Sequence, residues 1–187
     1  MRIIAGKYRG KIICYPPADI TRPTSDRARE ALFSSLEARL MAMGKNWQDI
    51  NFLDVFAGSG ACGLEALSRG AKYALFIEKA KEAELCIRKN IALLKAENMA
   101  DIYTDVFNLS FAKSAFDIVF LDAPYNKGLS GKALETLYSK GWISDKTICI
   151  VEMEKNEKII FPSCFILEKI KNYGRASIHF LKCESEK

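Results

Sequence analysis

The spacing of apolar residues along the chain changes near residue 50. From Asp26 to Leu40 apolar residues recur every three or four positions, which predicts a helix with one buried face. Beyond Asn51, short apolar runs alternate with helical stretches. The predicted strands cover 52–56, 73–77, 101–104, 116–121 and 147–153, and the predicted helices cover 61–69, 79–96 and 130–140. This alternation predicts an α/β domain with a mostly parallel sheet and helices on both faces.

Both ends of the chain depart from this alternation. Segments 2–5 and 11–15 flank a glycine-containing turn, which predicts an N-terminal β-hairpin. Near the other end, segments 164–172 and 176–182 flank Tyr173-Gly174-Arg175 and leave no room for a helix, so we predict an antiparallel C-terminal hairpin. We therefore divide the chain into a hairpin-and-helix extension, 1–44, and an α/β domain, 45–187.

The composition is that of an ordinary globular protein, with 49% hydrophobic residues. No apolar run approaches the roughly 20 residues of a membrane span, and the basic N-terminus lacks an apolar signal region. We therefore expect a cytoplasmic protein that does not bind membranes. The six scattered cysteines form no C-x-x-C pair, and His179 is the single histidine. These features argue against a disulfide framework, a metal site and a Ser-His-Asp triad.

Positive charge is concentrated near the N-terminus. The net charge is +5, and residues 1–29 contain seven basic and two acidic side chains, so this segment accounts for the whole excess. Such a patch favours contact with nucleic-acid phosphates, and a helix N-terminus near Thr24 would add to the attraction. The predicted contact residues are Arg2, Lys7, Arg9, Lys11, Arg22, Thr24 and Arg27. A solvated basic face is the alternative interpretation.

A glycine-rich loop follows the first strand of the α/β domain. The segment 58–63 has the spacing G-x-G-x-x-G, and Glu78 ends the next strand, 20 residues after Gly58. This arrangement predicts an adenosine-type ligand whose ribose hydroxyls meet Glu78. Asp54 favours one such ligand, because a carboxylate would repel a pyrophosphate and attract the ammonium and sulfonium of S-adenosylmethionine. A glycine turn that serves only helix–strand packing is the alternative.

An acid, a proline and an aromatic residue follow the fourth predicted strand, in Asp122-Ala123-Pro124-Tyr125. An exocyclic amino nitrogen of a base is a poor nucleophile because its lone pair is delocalised into the ring. A carboxylate and a backbone carbonyl that accept hydrogen bonds from its two N–H groups would draw the lone pair out of conjugation. Tyr125 would stack on the base and position it. The motif therefore suggests amino-methyl transfer, and an ordinary strand-to-turn junction is the alternative.

Both motifs resemble those of known enzymes. The segment 54–60, D-x-F-x-G-S-G, is similar to the first motif of Rossmann-like (class I) methyltransferases. The segment 122–125 resembles the [DN]-P-P-[YF] signature of amino-methyltransferases, with Ala123 in place of the first proline, so the carbonyl is kept but the fixed φ is lost. The resemblance implies an S-adenosylmethionine site formed by Asp54, Phe56, Ala57, Gly58, Ser59, Gly60, Glu78, Lys79, Asp105 and Val106.

Longer strings resemble one narrower family. The strings R-x-I-x-G-x-x-R-G from Arg2, R-P-T-x-D-R-x-R-E from Arg22 and the segment 63–71 are similar to the bacterial 16S rRNA guanine-N2 methyltransferases. The resemblance covers nearly the whole chain. It implies methyl transfer to the exocyclic N2 of a guanine in 16S rRNA, within a 30S subunit or an assembly intermediate. We expect a monomer.

Three other functions stay open at this point. Ala123 raises the possibility of an S-adenosylmethionine-binding rRNA chaperone or assembly factor with little catalysis. The signature does not name the base, so an amino-methyltransferase acting on adenine in DNA or RNA is a second. A dehydrogenase is the third, because the same glycine spacing binds NAD.

Overall fold

The computed structural model describes residues 1–16, 26–125 and 127–184. Seven strands form a mostly parallel sheet, and the chain divides into two compact units, residues 1–104 and 105–187. Within the described residues, no helix is both long and apolar enough to cross a membrane.

The described part of the first unit contains three α-helices and three parallel strands. Their bounds are α1 Asp26–Ala42, β1 Asn51–Val55, α2 Ala61–Arg69, β2 Tyr73–Ile77, α3 Lys81–Leu94 and β3 Ala100–Tyr103. The strands lie in the order β3-β2-β1 and pair in parallel. In β1 and β2 every residue after the first is buried, as expected of parallel strands that are covered on both faces. These elements confirm the strand–helix alternation predicted from the sequence.

The helix α1 packs through the predicted apolar stripe, whose members Leu32, Leu36 and Leu40 are buried. The ring of Phe33 lies 5.6 Å from that of Trp47 and 6.1 Å from that of Phe52 in β1. Because α1 belongs to the same compact unit as β1 and α2, it packs as part of the α/β structure. The domain boundary at residue 44 stays a prediction.

The N-terminal hairpin is shorter than predicted. Its two segments pair antiparallel, but only the bridge Arg2↔Ile12 has strand geometry. Hydrogen bonds from Ile3 N to Lys11 O and from Gly10 N to Ile3 O hold the pair at 3.0 and 2.9 Å. The prediction of two strands, 2–5 and 11–15, is wrong in extent because the amides of residues 4 and 5 bind a side chain of α2 rather than the opposite segment.

Among the residues of the second unit that the structure describes are four strands and one α-helix. Their bounds are β4 Ile118–Leu121, α4 Leu129–Ser139, β5 Ile148–Glu154, β6 Phe165–Tyr173 and β7 Ala176–Cys183. The order is β4-β5-β7-β6, with β4 and β5 parallel and β7 antiparallel to both of its neighbours. The C-terminal hairpin is confirmed. The strand β4 begins two residues later than predicted, because Phe116 stacks on Trp142 at 5.8 Å and lies outside the strand.

Candidate functional site

The glycine loop leaves β1 with an unusual backbone. Phe56 has φ +59°, although it carries a side chain, and Gly58 and Gly60 have φ +56° and +76°. A non-glycine residue in this region costs on the order of 1–3 kcal/mol and occurs mainly at functional sites. Hydrogen bonds from Ala57 N to Ile77 O and from Gly60 N to Ala57 O, at 3.1 and 2.7 Å, hold the loop. The conformation is therefore enforced by β2 and by the loop itself.

Glu78 lies across this loop, as its position at the end of β2 predicts. Its two carboxylate oxygens accept hydrogen bonds from Gly58 N at 2.8 Å and from Ala80 N at 2.7 Å. A carboxylate oxygen has two lone pairs, so each oxygen can still accept a further bond from a hydroxyl. The structure brings together Gly58 and Glu78 as the sequence analysis expected, and the ribose contact stays a prediction.

Asp54 is buried beneath the first turn of α2, with 2% of its surface exposed. Its Oδ2 accepts a hydrogen bond from Gly63 N at 2.8 Å. Burial raises the pKa of this carboxyl to about 8, the Gly63 bond opposes the rise, and the negative charge of Glu78 adds to it. Within the described residues no cation pairs with Asp54. A buried carboxylate without a counter-charge suits a ligand that carries a positive group.

The third glycine of the loop has a packing role. A Cβ at Gly63 would lie 2.3 Å from Cε1 of Phe76, and a Cβ at Gly60 would lie 3.1 Å from the same atom. The absence of a side chain lets α2 approach β2 closely, which is the packing interpretation that the sequence analysis kept open. The glycine spacing therefore reflects both loop conformation and helix packing. By itself it indicates the ligand less specifically than the carboxyl groups of Asp54 and Glu78 do.

The other predicted cofactor residues lie in varied settings. Ser59 is buried and its carbonyl accepts a bond from Asn90 Nδ2 at 3.0 Å, and Lys79 is exposed. In the second unit, Asp105 caps the 3-10 turn 106–108 by accepting a bond from the amide of residue 107 at 3.0 Å. Val106 is buried. Asp105 thus has a structural role already, and its contact with adenine stays a prediction.

The predicted catalytic motif follows β4 directly. Every residue of β4 is buried, and the chain then emerges through half-buried Asp122, buried Ala123, exposed Pro124 and half-buried Tyr125. This is the carboxyl end of a parallel strand, where ligands of open α/β sheets bind. The graded exposure leaves an acidic side chain and an aromatic ring partly accessible, as the assigned roles require.

The predicted nucleic-acid contacts that the structure describes are exposed: Arg2, Lys7, Arg9, Lys11 and Arg27. The predicted contacts Arg22 and Thr24 lie outside the described residues. One cation counted in the basic segment does not belong to the surface. Arg29 is fully buried and donates from Nη2 to Asp26 Oδ1 at 3.0 Å and to the carbonyl of Arg2 at 2.5 Å. It therefore anchors the N-terminus of α1.

Three buried polar residues escaped the sequence analysis. Glu65, Ser68 and Asn90 are each at most 2% exposed, and all three bind the N-terminal hairpin. The signal in the sequence is a glutamate and a serine spaced by three on the apolar α2, within the string 63–71. Buried polar side chains of this kind have partners, but the sequence did not show which.

Comparison with known proteins identifies the family. A family model described as conserved hypothetical protein 95 matches residues 1–182. The Escherichia coli protein named ribosomal RNA small subunit methyltransferase D is 35% identical over 188 aligned positions, which cover 100% of this chain and 91% of that protein. The chain belongs to the ribosomal RNA small subunit methyltransferase D family. The resemblance seen in the sequence is thereby confirmed.

Solved structures agree on the fold of this family. The chain is 34% identical to yhhF, a candidate methyltransferase from Escherichia coli, and the two match with a TM-score of 0.81 over 100% of this chain and 99% of that one. An RNA methyltransferase from Salinibacter ruber, solved with S-adenosyl-L-homocysteine, matches with a TM-score of 0.65 at 14% identity and covers 89% and 96%. The Rossmann-like methyltransferase fold predicted from the sequence is confirmed.

Proposed function

We propose that this protein uses S-adenosylmethionine to methylate the exocyclic N2 of a guanine in 16S rRNA, within a small-subunit or assembly particle. The observation that carries the cofactor assignment is the buried carboxyl group of Asp54 beside the glycine loop, with which no cation of the described residues pairs. The family membership supports the RNA substrate, because the Escherichia coli relative is named a ribosomal RNA small subunit methyltransferase.

Two carboxylates make the loop selective for a cationic ligand. S-adenosylmethionine supplies a methyl group activated by a sulfonium and also carries an ammonium. Asp54 would hold that ammonium, and Glu78, fixed across the loop by Gly58 N, would accept from the ribose hydroxyls. A dinucleotide pyrophosphate would instead add negative charge near Asp54, which burial already disfavours in its charged form. These charges favour a methyltransferase over a dehydrogenase.

The motif after β4 would activate and hold the target base. Asp122 and the carbonyl of Ala123 would accept hydrogen bonds from the two N–H groups of the exocyclic amine, which localises the nitrogen lone pair for attack on the sulfonium methyl group. Tyr125 is half-buried, so its ring offers a stacking surface for a flipped or single-stranded guanine. Assignment to N2 rests on the family resemblance. The exposed cations of the N-terminal hairpin would bind RNA phosphates in a salt-dependent manner.

A methyl-transfer assay tests this function. The protein is incubated with labelled S-adenosylmethionine and either naked 16S rRNA or small-subunit particles from a strain that lacks the enzyme, and the digested RNA is analysed by mass spectrometry. We expect one additional N2-methylguanosine per rRNA molecule. Cofactor binding without transfer would favour the chaperone interpretation, which Ala123 motivates. Methyladenosine would refute the base assignment, and binding of NAD in place of S-adenosylmethionine would refute the cofactor.

A further inference from the structure

Glu65 of α2 belongs to a string that the proposed chemistry does not use. Its side chain is fully buried, and its oxygens accept hydrogen bonds from Ile4 N at 2.8 Å, Ala5 N at 3.0 Å and Arg69 Nε at 2.9 Å. A buried carboxylate is retained only when donors satisfy it. Two of these three donors are backbone amides of the N-terminal hairpin, about 60 residues away along the chain.

Ser68 continues this contact one turn further along α2. Its Oγ accepts from Tyr8 N at 2.9 Å and donates to Ala5 O at 2.5 Å, and its carbonyl accepts from Lys7 N at 2.7 Å. A Cβ at Gly6 would lie 1.9 Å from Ser68 O, so only glycine permits this approach. Most amides of the basic turn, which we define as residues 4–9, are therefore satisfied by α2 and not by the opposite segment of the hairpin.

The same nine-residue helix also forms one side of the glycine loop. Its third residue, Gly63, donates to Asp54, and Glu65 and Ser68 follow within the next two turns. The exposed cations of the basic turn, Lys7 and Arg9, are thus fixed to the element that follows the cofactor loop. A flexible turn would have to be ordered by the RNA itself, at a cost in affinity.

We propose that Glu65 is a positioning residue for RNA: it holds the basic turn in one orientation on α2, so that Lys7 and Arg9 meet the phosphates without prior ordering. This inference rests on the proposed function, which assigns RNA binding to those cations. Glutamine at position 65 keeps the size of the side chain but offers one acceptor oxygen, and its NH₂ would face a backbone N–H donor.

The chain offers a matched control for the Glu65→Gln variant. Glu37 also pairs with Arg69, through Arg69 Nη1 at 3.3 Å, but its side chain is 62% exposed. Glu37→Gln therefore removes a carboxylate from the same arginine, and within the described residues no hydrogen bond joins Glu37 to the basic turn. Ser68→Ala serves as a second variant of the contact between α2 and the basic turn, in case Glu65→Gln destabilises the fold. For each variant, RNA affinity is measured at several salt concentrations, together with S-adenosylmethionine affinity, KM and kcat.

We expect Glu65→Gln and Ser68→Ala to raise the Kd and KM for RNA about tenfold and to make the salt dependence shallower. Affinity for S-adenosylmethionine and kcat should change less than about twofold. Glu37→Gln should bind RNA as the wild type does. In a Lys7→Ala/Arg9→Ala background, Glu65→Gln should have almost no further effect on RNA affinity, because the cations that it positions are absent.

Several results would overturn the inference. The inference is wrong if Glu65→Gln binds RNA with the same affinity as Glu37→Gln. It is also wrong if the fold-changes in Kd caused by Glu65→Gln and by Lys7→Ala/Arg9→Ala multiply in the combined variant, because the two changes would then act independently. If Glu65→Gln does not fold, wild-type RNA affinity in Ser68→Ala refutes the idea. Unchanged RNA affinity in Lys7→Ala/Arg9→Ala overturns both the inference and the assigned RNA surface. If the variants change RNA affinity as expected but the wild-type protein transfers no methyl group, only the proposed activity is overturned.

Discussion

Replacing Asp54 by asparagine removes a buried ionisable carboxyl group and leaves nearly the same shape. The amide oxygen can still accept the hydrogen bond from Gly63 N, which lies 2.8 Å from Asp54 Oδ2. The wild-type carboxyl has its pKa raised by burial from 3.8 to about 8. The substitution therefore tests whether Asp54 lowers the stability of the free protein and in return allows it to bind a cation.

The magnitude follows from linkage between protonation and folding. Between about pH 4 and about pH 8, folded Asp54 keeps its proton while the unfolded chain loses it, so wild-type stability falls as the pH rises. The contribution of protonated Asp54 to stability is complete below the pKa of this carboxyl in the unfolded chain. It is lost as the pH rises through the pKa of the same carboxyl in the folded protein. One pKa unit corresponds to about 1.4 kcal/mol, so the rise from 3.8 to about 8 sets an upper bound of about 6 kcal/mol on the total loss. Asparagine has no such loss.

Urea unfolding of both proteins across this pH range measures the effect. We expect similar free energies of unfolding near about pH 4, and a difference in favour of Asp54→Asn that grows toward about pH 8. Asp49→Asn, which changes an exposed aspartate of the same unit, controls for the loss of a surface carboxylate.

Calorimetry in buffers of different ionisation enthalpy measures the protons that are released when S-adenosylmethionine binds. Wild type should release close to one proton on binding S-adenosylmethionine at about pH 7, since a cation lowers the pKa of Asp54.

Asp54→Asn should bind S-adenosylmethionine at least about tenfold more weakly, because a charged hydrogen bond is lost, and should release no proton. A stability difference that does not vary with pH would refute the raised pKa. Unchanged cofactor affinity would refute the contact between Asp54 and the ammonium, whatever the stability result. Stability and affinity are thus expected to move in opposite directions in one variant.

Three further substitutions test other parts of the site. Gly63→Ala should lower the free energy of unfolding by about 1–3 kcal/mol, because the new Cβ would meet the Phe76 ring at 2.3 Å; wild-type stability in urea would contradict that contact. Asp122→Ala should abolish methyl transfer and leave S-adenosylmethionine binding largely intact by calorimetry, and surviving transfer would contradict its assigned role. Gly6→Ala would place a side chain on a residue with φ +80°, and its Cβ would lie 1.9 Å from Ser68 O. Filter binding should therefore show weaker RNA affinity, and unchanged affinity would argue against the contact between the basic turn and α2.

Much of the fold could be read from local patterns. The helix α2 and the strand β2 have the bounds predicted for them, because a glycine in the left-handed region ends the helix at Gly70 and an apolar run between Lys72 and Glu78 delimits the strand. The pairing of Glu78 with the glycine loop was also predictable, since carboxyl ends of adjacent parallel strands meet at one edge of the sheet. Periodicity, turn residues and motif spacing depend on residues that are near one another in the chain, so they can be predicted from the sequence.

Other features depend on contacts between distant segments, and only the tertiary structure decided them. Arg29 counts as a surface cation in the sequence but is fully buried against Asp26. Asp54 lies at a strand end in the sequence, whereas its burial, which sets the pKa, depends on how α2 begins. The N-terminal hairpin is held by Glu65, about 60 residues away. Such side-chain-to-backbone bonds leave no periodic trace in the sequence, because a backbone amide is the same at every residue except proline.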